Sequence, residues 1–308
     1  MPRFAGIALR VLVVLLALGF VGYRYLLGRE PVPEQSGYAI DLDEIRRLAA
    51  SLPGERASHV NHEQIAEAPL PRGAVFAGES LRTPHPMSHG AYQLVFPDGY
   101  LVIDSGFDAA GLREMSPGAA LDAEGHAAIQ RALAGARTIV ITHEHLDHLI
   151  GIARFAEPET LPGRLRMTRE QLANADELDA IGFPDSLRAA LAPLDYERYA
   201  AVAPGVVLVK AAGHTPGSQM VFAQLADGSE WLFLGDVAWH MDQIRLLWYR
   251  PRLVTDFFLG EDRDAVLAQF RALHALTATG TVRLVASHDV DQRKELVASG
   301  KLGAHFQF

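Results

Sequence analysis

The chain opens with one long apolar block and then changes to short apolar runs interleaved with amphipathic stretches. Residues 5–27 are apolar except for Arg10 and Arg24, and Val11–Tyr23 is uninterrupted. About 20 apolar residues in a helix span a bilayer, so residues 1–27 are expected to form a transmembrane signal anchor. Arg3 and Arg10 precede the uninterrupted run, which favours a cytoplasmic amino terminus with the bulk of the protein outside the cytoplasm. In a Gram-negative cell that is the periplasm. A cleaved signal peptide is the alternative, but no clear Ala-x-Ala site follows the block. Residues 28–37 are polar and contain two prolines, which predicts a linker. Asp41–Leu52 then places Ile45, Leu48, Ala49 and Leu52 on one helical face, and Pro53-Gly54 stops it. Residues 28–69 are thus expected to be linker and a short helix, ahead of one main domain over residues 70–308.

Within the main domain the period shortens to that of strands. Ala91–Phe96, the turn Pro97-Asp-Gly99 and Tyr100–Asp104 predict a hairpin. Thr138–Ile141 is a buried strand ending at Thr142, and Val206–Lys210, Trp231–Leu234 and Val282–Ala286 have the same character. Helices are expected at Ala123–Ala134 and at Arg263–Thr277, with Val266, Phe270 and Leu273 inward. Two short helices, Asp176–Ile181 and Ser186–Leu191, flank Gly182-Phe-Pro184 in the least regular stretch, residues 152–200. Interleaved strands and helices predict an α/β (α+β) fold.

The chemistry concentrates at the ends of these strands. Residues 142–148 read Thr-His-Glu-His-Leu-Asp-His, which sets His143, His145, Asp147 and His148 within six positions. An extended stretch directs alternate side chains the same way, so His143 and His145 can share one ion. Asp147 and His148, just past them, can turn to a second. A single ion does not need so many ligands this close together, whereas a two-metal site does. Three further candidates follow β-like runs: His214 in Gly213-His-Thr-Pro-Gly-Ser218, Asp236 after Trp231–Leu234, and His288 after Val282–Ala286. Five His and two Asp suit two ions with three or four protein ligands each and a shared water. His59, His62, His126, His274 and His305 lack ligand spacing and are expected at the surface or in structural roles. His85 and His89, just before the first core strand, are candidates to approach the pocket.

These motifs, in this order, resemble the metallo-β-lactamase superfamily over roughly residues 70–308, with Asp104 of Leu101-Val-Ile-Asp-Ser-Gly106 as the first motif. The resemblance implies an αβ/βα sandwich of two mixed sheets between helices. It implies that His143, His145 and His214 hold one metal, that Asp147, His148 and His288 hold the other, and that Asp236 bridges them. Asp104 would orient a ligand rather than bind metal, by accepting a hydrogen bond from a His and fixing its tautomer. An Asx turn before Gly106 is compatible with that role. Segments such as 152–200 cover the metal site in this superfamily, and Tyr196 and Tyr199 are candidates to line the pocket.

Composition narrows the partners. The formal charge of −9 and the lack of a Lys/Arg-rich tract argue against nucleic acid. There is no cysteine, hence no disulfide and no thiolate ligand, unlike β-lactamases that place a Cys at the second metal. The expected cofactors are two divalent ions, zinc in type, with iron or manganese as alternatives. The expected reaction is attack by a bridging hydroxide on a small-molecule lactone or related ester, and Asp147 is a candidate proton relay to the leaving group. A β-lactam or thioester hydrolase is the alternative, and so is a non-hydrolytic di-iron redox or binding protein. Lactonases of this superfamily often carry a Tyr three residues after the bridging Asp. Trp239 stands there, and its indole N–H could serve as the donor. His240 is either an acid–base group or a core or surface residue.

Overall fold

The computed structural model describes residues 2–308, with side-chain surroundings for residue 7 and from residue 9 onward. Two five-stranded mixed sheets carry the fold. The first is built from β1 (His59–Glu67), β2 (Ser88–Phe96), β3 (Gly99–Ile103), β4 (Thr138–Val140) and β5 (Leu165–Arg166), in that spatial order. Its β1–β2–β3 pairs are antiparallel and its β3–β4–β5 pairs parallel. The second runs β6 (Tyr199–Ala203), β7 (Val206–Lys210), β8 (Gln219–Gln224), β9 (Glu230–Phe233) and β10 (Val282–Val285). It is antiparallel except for the parallel pair β9–β10.

Strand periodicity sorts the apolar side chains into layers. On β7, Val206 and Leu208 face the space between the sheets, where they meet Leu101, Ile103, Val221, Trp231 and Phe233. Val207 and Val209 face the other way, with Met220 and Phe222. That outer face is covered by α2 (Leu42–Ala49) and α5 (Arg263–Thr279) through Ile45, Val266, Phe270 and Leu273. The outer face of the first sheet is covered by α3 (Ala123–Gly135) and α4 (Leu146–Ala153) through Ile129, Leu133, Leu149 and Ile152. The result is the αβ/βα sandwich of two mixed sheets expected from the motifs.

Two segments ahead of residue 70 differ from the sequence-based expectation. Residues 59–67 form β1, the edge of the first sheet, where linker and helix were expected. The alternation there is hidden because Asn61, His62 and Glu63 are buried, each held by polar partners. Residues 28–37 do not hang free. Gly78 N–H donates to Leu27 O (2.6 Å), and Arg29 donates to Leu246 O (2.8 Å). Glu30 pairs with Arg252 (2.6 Å) and Arg263 (2.8 Å), and Val32 enters the second core. The preceding α1 (Pro2–Leu27) contains the stretch Leu9–Leu27, apolar and long enough to cross a membrane, and none of that stretch is buried against the body.

The first sheet depends on a close approach of α4 to the turn after β3. A Cβ on Gly151 would collide with the Ser105 carbonyl oxygen, a backbone atom that cannot swing aside. Replacing a helical Gly by Ala ordinarily stabilises by up to about 1 kcal/mol. For Gly151→Ala the collision outweighs that gain, and a net loss of about 1–3 kcal/mol is expected in denaturant unfolding.

Candidate metal centre

The sheets deliver their polar residues to one edge. Asp104 follows β3 and the 143–148 segment follows β4. His214 follows β7, Asp236 lies in the 3-10 turn Gly235–Val237 after β9, and His288 follows β10. β3 and β4 are parallel, and β7, β9 and β10 share one direction, so each residue sits at the carboxyl end of its strand. β4 ends at Val140, and His143 lies in the connection to α4. His145 is the N-cap of α4, while Asp147 and His148 occupy its first turn.

All seven ligand candidates converge. His143, His145, His214 and Asp236 offer atoms within 4.8 Å of one another, and so do His148, Asp236 and His288. Asp236 belongs to both groups. Its Oδ2 lies 3.5 Å from His214 Nε2 and 3.8 Å from His143 Nε2, while its Oδ1 lies 3.3 Å from His148 Nε2 and 3.1 Å from His288 Nε2. Asp147 Oδ2 approaches His148 Nε2 at 3.6 Å and His288 Nε2 at 3.5 Å. His143 Nε2, His148 Nε2 and Asp236 Oδ1 are buried and make no hydrogen bond. Buried polar atoms are rarely left so, and lone pairs aimed at a common point fit a cation.

A surrounding set of acceptors fixes the imidazoles. His148 Nδ1 is 2.9 Å from Asp104 Oδ2, His214 Nδ1 is 2.6 Å from Glu261 Oε1, and His288 Nδ1 is 2.9 Å from Ser88 O. Each acceptor suits a proton on Nδ1 and turns Nε2 into the site, the usual support of a metal-binding His. Asp104 does this from a left-handed backbone (φ 64°), rare for a side chain larger than Gly. It also accepts from Thr142 N–H (2.7 Å) and Thr142 Oγ1 (2.9 Å), which ties the 142–148 segment to β3. Glu261 is completely buried, paired with Arg250 (2.6 Å) and bonded to the Tyr249 hydroxyl. Burial pushes the Glu261 carboxyl up, but Arg250 and then His214 outweigh that and bring it to about 2.

The electrostatics favour positive charge. Burial raises the Asp236 carboxyl, yet His288, His148 and His143 hold it well below the usual range. Burial opposes charge on His148, but Asp147, Asp236 and Asp104 raise it well above its ordinary value. His145 is pushed down to about 3, first by burial and then by His214, so it presents a lone pair. The carboxylates that favour a proton on His148 would also attract a cation.

The remaining candidates separate. Trp239 lines the site, and its indole N–H donates to Asp236 Oδ2 at 2.6 Å instead of standing free for a substrate oxygen. His240 faces away: it caps the helix Met241–Arg245, accepting from Asp242 N–H (3.1 Å), and lies 3.4 Å from Asp289. His85 packs against Phe76 and His240. His89 does reach the site, with Nδ1 3.2 Å from Asp147 Oδ2 and its ring against His288. Tyr196 bonds Gln219 (2.6 Å) and Tyr199 bonds the Asp41 N–H (2.8 Å), and neither lines the cavity. That cavity, of about 340 Å³, is lined by Asp147, Asp236, His145 and His288, by Glu114 and Glu177, and by a larger set of apolar side chains that includes Leu70, Met87, Leu146, Trp239 and Phe258.

The family model of the metallo-β-lactamase superfamily matches residues 87–288, and the chain belongs to that superfamily of metallohydrolases. No curated protein matches it. Among solved structures, a quorum-quenching N-acyl homoserine lactone lactonase is similar at 16% identity and a TM-score of 0.62, over 79% of this chain and 97% of that one. An N-acyl homoserine lactone hydrolase with N-hexanoyl-L-homoserine at its catalytic metal centre is similar at 15% identity and a TM-score of 0.61, over 78% and 96%. A probable metal-dependent hydrolase from Staphylococcus aureus follows at 14% identity and a TM-score of 0.56, over 76% and 91%. At these identities the likeness is one of fold.

Glu261 was not singled out from the sequence, and its weight can be measured. Glu261→Gln keeps the shape but leaves the Arg250 guanidinium buried without its counter-charge. Breaking a buried pair costs about 3–5 kcal/mol, and a loss of that size is expected in chemical denaturation of the metal-free chain. A change under about 0.5 kcal/mol, as at an ordinary surface site, would show that Glu261 does not hold this corner.

Proposed function

We propose that the chain is a dinuclear hydrolase that opens a lactone or related ester carrying an acyl chain. One observation carries this reading: Asp236 turns one carboxylate oxygen to His143 and His214 and the other to His148, with His288 Nε2 within reach of both (3.4 and 3.1 Å). His143, His145 and His214 would hold one ion, Asp147, His148 and His288 the other, and Asp236 both. His-rich sites of this kind suit zinc, and iron or manganese are the alternatives. Two such ions supply a nucleophilic hydroxide near neutral pH and polarise the attacked carbonyl.

The chain's own residues supply the rest. Asp104 and Glu261 hold the tautomers of His148 and His214. Trp239 holds the bridging carboxylate, a positioning role in place of direct contact with a developing oxyanion. Asp147, open to the cavity and in contact with His89, is placed to carry a proton to the leaving alkoxide. The apolar walls suit an acyl chain, and pockets of this size take ligands of that class. The solved lactonases of the same fold act on N-acyl homoserine lactones, which makes that the first substrate to try. We also propose that α1 anchors the protein in a membrane with the body outside the cytoplasm.

The test uses the full chain in detergent, loaded with zinc, and N-dodecanoyl homoserine lactone. Ring opening is expected, with two metals per chain by elemental analysis. Asp236→Ala should lose more than about 100-fold in rate, beyond the 10–100-fold range of an outer partner. One metal per chain would overturn the dinuclear reading, and no ring opening with two metals bound would overturn the lactone choice. Trp239→Phe keeps the ring but not the donor, and about tenfold weaker metal affinity is expected in a chelator competition.

A further inference from the structure

Among the described residues outside α1, six large apolar side chains are exposed: Leu52, Leu81, Leu246, Phe257, Phe258 and Phe308. Single exposed apolar residues need no explanation, but a group of them marks a contact surface. Four of the six lie on segments bonded to the last turn of α1 and the three residues after it. Leu81 follows Gly78, which bonds Leu27, and Leu246 accepts from Arg29. Phe257 and Phe258 follow Asp256, which pairs with Arg252 (3.3 Å), and the Arg252 guanidinium lies 5.0 Å from the Tyr25 ring on α1. The two phenylalanines are 69% and 76% exposed, on the π-helical turn Thr255–Leu259.

We propose that this Phe257–Phe258 edge is a second membrane contact, which sets the mouth of the metal-site cavity at the lipid surface. The inference rests on α1 being a membrane anchor. The seat of α1 supplies the argument. Residues 27–33 are held to the body by one backbone bond, from Gly78 N–H to Leu27 O, by the Glu30 pairs with Arg252 and Arg263, and by Arg271 on Pro33 O (2.7 Å). With no slack after the helix, the body face beside Leu27 must lie at the bilayer surface, and that face carries the phenylalanines. Its other members are those of a membrane boundary: Arg24, Arg29, Arg252, Tyr25 and Trp248. Phe258 is shared, since it also lines the cavity beside Leu259. An acyl-chain amphiphile held in the lipid would meet the cavity along this apolar edge without crossing water.

Because the chain has no cysteine, single nitroxide labels can be placed at will. The full chain in phosphatidylcholine–phosphatidylglycerol vesicles would carry Leu16→Cys, Phe257→Cys or Asp98→Cys. Asp98 is exposed in the β2–β3 turn, at the opposite end of β3 from the metal site. Collision with oxygen, which partitions into lipid, is compared with collision with a water-soluble nickel chelate. Labels at 16 and 257 should favour oxygen, and the label at 98 nickel. If 16 is in lipid while 257 behaves like 98, the edge is not a membrane contact and the proposal is overturned alone. If 16 also behaves like 98, the anchor reading fails and the proposal falls with it.

Discussion

Everything at the working edge of this protein follows from burying one carboxylate, Asp236, among imidazoles. A carboxylate removed from water is costly unless cations and donors surround it. The sandwich meets that demand by ending five same-edge strands at one point, so that His143, His148, His214 and His288 reach Asp236 from both sheets. A second ring then holds the first. Asp104, Glu261 and the Ser88 carbonyl each accept a hydrogen bond from one imidazole, and Arg250 compensates Glu261 while donating to the Asp236 carbonyl (3.2 Å). The centre is therefore a property of two sheets and their helices, and no single loop could hold it.

What was legible in the sequence was what lies close together along it. His143, His145, Asp147 and His148 declare themselves within one turn of chain, and His214, Asp236 and His288 each follow an apolar strand. Asp104 was legible for the same reason. Glu261, Arg250 and Tyr249 were not, because an acid, an arginine and a tyrosine in an irregular stretch carry no periodicity, and their meaning comes only from contact with His214. His89 was ambiguous, since its partner Asp147 is 58 residues away. β1 was missed because burial of Asn61, His62 and Glu63 breaks the alternation that marks a strand. Trp239 was singled out three residues after Asp236, but the direction of its N–H, onto Asp236 itself, depends on a rotamer that no spacing encodes.

The stretch after α1 shows how composition alone can mislead about stiffness. Gly, Pro and charge in residues 28–37 describe a flexible tether, and such sequences do behave that way when nothing meets them. Here Glu30 meets two arginines, and Val32 meets a core. Exposed ion pairs contribute little, but these are partly buried, and they act together with one backbone bond and with the Arg271 contacts on Val32 and Pro33. The consequence is geometric more than energetic: a helix that can cross a bilayer is joined to the catalytic body without a hinge.

That join couples the two ends of the argument. The dinuclear centre proposed for this site would select by chemistry, and esters of many shapes would satisfy it. Selection among them falls to the cavity, whose walls are apolar and whose rim at Phe258 and Leu259 is continuous with the surface beside Tyr25 and Arg252. A rim exposed to water would have to hide those side chains or tolerate their tendency to associate. A rim resting on lipid needs neither. Two exposed phenylalanines beside the mouth of the site are thus a feature that a freely tethered body would leave unexplained and that the proposed seat on a membrane accounts for.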